Sequence, residues 1–73
     1  MVYSTTTKFT ETEKKVINLL KEGYTNPEIG EMLHISRHTV KHHVSSVLSK
    51  IGAVNRINAI FMLASGGYFK EIE

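Results

Sequence analysis

The side chains best equipped for chemistry crowd into residues 36–49: Ser36, Arg37, His38, Thr39, Lys41, His42, Ser45, Ser46 and Ser49. Hydroxyl, imidazole, ammonium and guanidinium groups all donate hydrogen bonds, and the last two carry positive charge. No carboxylate interrupts them. Such a set suits an acceptor-rich, negatively charged partner. It does not suit catalysis, because no orienting acid, oxyanion hole or pocket is signalled around the serines and histidines. An enzyme is therefore not expected. His38 and His42 have the four-residue spacing of helical metal ligands, and His34 lies four residues earlier. With no cysteine and no nearby carboxylate, neither a zinc site nor any other cofactor is expected.

These donors must be carried by a helix. Val40, Val44, Val47, Leu48 and Ile51 recur at the spacing of one apolar helix face. Residues 37–51 are thus predicted helical, with Ser36 as N-cap and Gly52 as stop. The opposite face holds His38, His42, Ser45, Ser46 and Ser49, with Lys41 at its edge, while His43 falls at the boundary. A helix that packs on one side and is small, polar and acid-free on the other is shaped to enter the major groove of duplex DNA.

Around it the chain reads as all-α. Residues 1–9 form a polar, threonine-rich arm expected to be loosely ordered. Thr10 and Glu13 make a capping box for a helix over 10–22, with Val16, Ile17 and Leu20 inward and Leu19 widening the stripe. Thr25 and Glu28 make a second, with Pro27 in the first turn of a helix over 26–33 whose Ile29, Met32 and Leu33 face inward. Gly30 inside that helix costs about 1 kcal/mol relative to Ala, which close approach by a neighbouring helix would offset. His34 and Ile35 make the turn. Two short capped helices and a basic second helix outline a helix-turn-helix. Asn55 caps a last helix over 56–65, apolar almost all round, whose spare face should seek a partner, most simply a second copy. Tyr68 and Phe69 open a tail able to dock an aromatic.

Seventy-three residues bound the chain to one small domain. The net charge of +2 hides an asymmetry. All seven acids lie at or before Glu31 or at Glu71 and Glu73, so residues 32–70, with five Lys or Arg, carry +5 with neutral histidines. By charge alone this suggests either a polyanion partner on one side of the molecule or a solubilising surface. No apolar run approaches the roughly 20 residues needed to span a bilayer, so no membrane role is expected. The lack of cysteine fits a reducing cytoplasm.

From about Phe9 to Gly67, nearly the whole chain, the sequence resembles the DNA-binding domain of the LuxR family, of the GerE or NarL/FixJ type. The pieces that carry the resemblance are the acid-rich start of the first helix, the stretch Glu22-Gly23-Tyr24-Thr25-Asn26-Pro27-Glu28-Ile29, the stretch from Ser36 to His43, and Asn55-Arg56-Ile57-Asn58-Ala59. The resemblance implies a four-helix domain of a bacterial transcription regulator that binds DNA as a homodimer. In the family, the residues matching Lys41 and His42 approach bases, as often does the one matching Ser45, which is small and neutral here. Asn26 matches a position near a phosphate, and Thr39 one near the DNA backbone. Gly30 stands where Ala is usual. The fourth helix pairs the subunits: Ala59, Ile60 and Leu63 go to the core, leaving Ile57, Phe61 and Met62 for the partner. Arg37 is expected on a phosphate, and Arg56 on a phosphate or instead on a carboxylate or carbonyls within the fold. RNA polymerase is a candidate further partner, in the cytoplasm at the nucleoid. The chain fits a stand-alone regulator or an excised output domain. The rival reading is a protein-binding helical adaptor, akin to region 4 of a sigma factor, with no affinity for DNA.

Overall fold

Each helix begins at a residue whose side chain takes up an amide the helix cannot. In the computed structural model, which describes residues 9–69, α1 is Glu11–Lys21, α2 Asn26–Leu33, α3 Arg37–Ile51 and α4 Arg56–Ser65. Thr10 accepts from Glu13 N and Thr25 from Glu28 N, both as reciprocal capping boxes. Ser36 accepts from Thr39 N and Asn55 from Asn58 N. Gly52 ends α3 in the left-handed conformation. The described residues contain no strand.

α3 is the central element, packed on α1, α2 and α4, and α1 also touches α4. Its apolar stripe divides between two clusters. Val40 and Val44 join Val16, Leu20 and Ile29, closing α1, α2 and α3 into a helix-turn-helix. Val47 and Ile51 join Ile17, Ala59 and Leu63, which seats α4 behind it.

The tight place is the turn between α2 and α3. A Cβ on Gly30 would lie 2.6 Å from the carbonyl oxygen of Ile35. The glycine thus admits the backbone of the turn and of Arg37, the first residue of α3, whose nitrogen would lie 3.4 Å from that Cβ, so the neighbouring helix that the sequence suggested approaches through its N-terminal end. This approach turns Ile29, Gly30 and Leu33 inward and leaves Met32, expected inside, 44% exposed. His34 takes the left-handed conformation (φ 61°, ψ 42°) so that the chain can enter α3.

Phe9 corrects the arm assigned to residues 1–9. It is half-buried against the second cluster, with its ring edge-on to Tyr68 at 5.7 Å. The remaining arm residues lie outside the described ones. Tyr68 and Phe69 pack on the same cluster, as the tail's aromatic character suggested.

Candidate nucleic-acid interface

His38, Lys41, His42, Ser45 and Ser49 are all exposed along the side of α3 that turns away from its apolar stripe. The His38 and His42 rings meet edge to face, centroids 4.9 Å apart, and form one continuous imidazole surface. At the start of the helix, Ser36 Oγ accepts from Thr39 N and donates to Thr39 Oγ1, each at 3.0 Å. The Ser36 proton is therefore spent on the cap, and the Thr39 hydroxyl keeps its own proton to donate outward. Arg37 is exposed beside them, and His43 is half-buried at the boundary.

Ser46 departs from the expected set. It lies one position after Ser45, about 100° further round the helix, and faces α1. Its hydroxyl donates to Glu13 Oε2 at 2.7 Å, so it belongs to the fold rather than to the outward face. Glu13 is 3% exposed. It also accepts from Lys50 Nζ at 2.7 Å and from Thr10 N at 2.9 Å. Burial pushes its carboxyl up, but the bonds from Lys50, Ser46 and the Thr10 amide outweigh that and hold it at about 2, below the usual 4.5. This network ties one edge of α3 to α1. The sequence showed Glu13 only as half of a capping box. Its partners lie 33 and 37 residues away, beyond any local pattern.

Asn26 opens α2 and is half-buried. Its Oδ1 accepts from Arg56 NH2, and Arg56 NH1 donates to the Tyr24 carbonyl at 3.4 Å. Of the partners expected for Arg56 (a phosphate, a carboxylate or carbonyls within the fold), the structure shows carbonyl oxygens within the fold. On α4, Ala59 and Leu63 are fully buried, while Ile57 and Phe61 stand 79% and 68% exposed. Ile60 and Met62 are half-buried on the two flanks. Met62 thus differs from its expected companions Ile57 and Phe61: it is only partly available to a partner. Ile57 and Phe61 also line an apolar groove of ≈ 560 Å³ with Leu20, Tyr24 and Ile60. No cluster of three potential metal ligands occurs among the described residues, and no single helix among them is long and apolar enough to cross a membrane.

The family model for "Bacterial regulatory proteins, luxR family" matches residues 7–63. The chain is 41% identical over 61 residues to the transcriptional regulatory protein DegU of Brevibacillus brevis, covering 84% of this chain and 26% of that protein. It is 36% identical over 69 residues to the transcriptional regulatory protein DesR of Bacillus subtilis, covering 94% of this chain and 35% of the other. It thus spans about a quarter to a third of these relatives. Among solved structures, that of the phage VqmA–DPO complex is similar with a TM-score of 0.83 and 32% identity, over 94% of this chain and 32% of the other. With its four-helix fold, helix-turn-helix and acid-free outward face, the chain belongs to the luxR family of bacterial regulatory proteins.

Proposed function

We propose that the chain binds duplex DNA as a two-fold homodimer, with α3 in the major groove and α4 pairing the subunits. The observation that carries this reading is the outward face of α3: His38, Lys41, His42, Ser45 and Ser49 are exposed together with no acid among them. The small serines let the helix backbone approach the bases. Lys41 and His42 reach base edges, and His38, Ser45 and Ser49 extend the contact along the groove. Asn26, Arg37 and Thr39, with Ser36 holding the Thr39 hydroxyl, grip phosphates on either side.

The exposed Ile57 and Phe61 support pairing through α4. Apolar side chains of this size gain by leaving water, and closed two-fold dimers dominate homo-oligomers. Two copies so joined present two copies of α3, so half-sites about one helical turn apart and related by inversion are expected. RNA polymerase at a promoter is the further partner of such a regulator, which would work in the cytoplasm on the nucleoid.

The test is titration of a labelled duplex at increasing salt. A DNA-binding face releases counterions, so affinity falls steeply as salt rises. A protein adaptor that uses only the apolar face of α4 gives no salt-sensitive duplex binding, and that result would replace this reading.

A further inference from the structure

The link between Asn26 and Arg56 joins the start of α2 to the start of α4, 30 residues later. A guanidinium has five N–H donors and no acceptor. The Asn26 atom it meets must therefore be the carbonyl oxygen, and the amide nitrogen is left on the other branch of the side chain. No bond within the described residues takes up that Nδ2 group. The guanidinium is held by two neutral oxygens, Asn26 Oδ1 and the Tyr24 carbonyl, and no carboxylate among the described residues pairs with it. Its positive charge stands un-neutralised directly behind the Asn26 amide. Arg56 is itself half-buried, which limits how far the pair can wander.

We propose that Arg56 is a positioning residue for Asn26: by occupying Oδ1 it commits the Nδ2 amide to donate to a DNA phosphate, and so ties the pairing helix to the backbone contact made by α2. This rests on the DNA-binding reading above. Without Arg56 the amide is free to present its oxygen, which repels a phosphate, as readily as its nitrogen. Because Arg56 is the first residue of α4, a shift of that helix on pairing is transmitted to the phosphate contact through one side chain.

The experiment is a double-mutant cycle on binding of a short labelled duplex of arbitrary sequence, read at about 50 mM salt, where phosphate contacts dominate. In the wild type, Asn26→Ala is expected to weaken binding roughly tenfold, the loss of one hydrogen bond to a charged group. In an Arg56→Lys background, which keeps the charge and loses the fork, the same change is expected to cost less than about threefold. Equal factors in both backgrounds would mean that the two residues act independently, and would overturn the proposal. Asn26→Asp guards against loss of fold, since it still offers Arg56 an oxygen. It should melt no lower than the wild type yet bind least of all, and wild-type affinity in this variant would also overturn the proposal. Wild-type binding that ignores salt would remove the DNA-binding reading itself, and this inference with it.

Discussion

α3 and α4 bury themselves in the same way and differ in what they leave outside. Each inserts a stripe of branched or small apolar residues into the shared core: Val47 and Ile51 from α3 meet Ala59 and Leu63 from α4. Outside, α3 shows imidazoles, hydroxyls and an ammonium, whereas α4 shows Ile57 and Phe61. The buried stripes account for the fold and say little about use. The spare faces carry the functional information: a face of donors matches a polyanion studded with acceptors, while an exposed Ile and Phe match another apolar surface.

If that contrast is sound, each face should fail in its own way. The largest effect is expected from Phe61→Glu. In a two-fold dimer it places two carboxylates in an apolar contact, so association should weaken roughly 1,000-fold, visible by sedimentation, with helical content unchanged. Next comes the edge of α3 that belongs to the fold. The Glu13 carboxyl, held at about 2 against 4.5, contributes on the order of 3 kcal/mol of stability. A lowered folded value means that this contribution is complete above pH 4.5 and is lost as pH falls towards 2. Denaturant melts across that range should show the decline, and Glu13→Gln should largely flatten it. Lys41→Ala tests the outward face directly. It should weaken DNA binding by roughly 1–3 kcal/mol if Lys41 meets a base edge, and leave dimerisation alone. The smallest effect lies in the turn between α2 and α3. His34→Gly relieves a left-handed backbone and should stabilise the domain by up to about 1 kcal/mol, the greater entropy of glycine offsetting part of the gain. Duplex affinity should not change.

The helix-turn-helix was legible because its signals are local. Thr10, Thr25, Ser36 and Asn55 each stand where a cap must stand, and Gly52 where a helix must stop. The valines of α3 recur at a spacing that only a helix puts on one face. What escaped reading depends on neighbours far along the chain. Ser46 and Ser45 are the same residue one position apart, yet only Ser46 faces a buried acid on α1. Met32 looked inward by its apolar character. The close approach of the turn to Gly30 fixes the rotation of α2 and leaves it outside. Phe9 read as part of an arm until Tyr68, from the other end of the domain, supplied its partner. The Arg56 bonds to Tyr24 and Asn26 were partly visible, since carbonyls within the fold stood beside a phosphate and a carboxylate among its expected partners. Which carbonyls they would be needed the packing of α4 on the rest.

The central claim is that α3 reads DNA while α4 sets the pairing of two copies. Its most direct test is selection of bound duplexes from a randomised pool at moderate salt. The account predicts enrichment of an inverted repeat with half-sites about one helical turn apart, lost in Lys41→Ala and reduced to single half-sites in Phe61→Glu. A pool that returns unenriched, from a protein showing no salt-sensitive binding to any duplex, would contradict it.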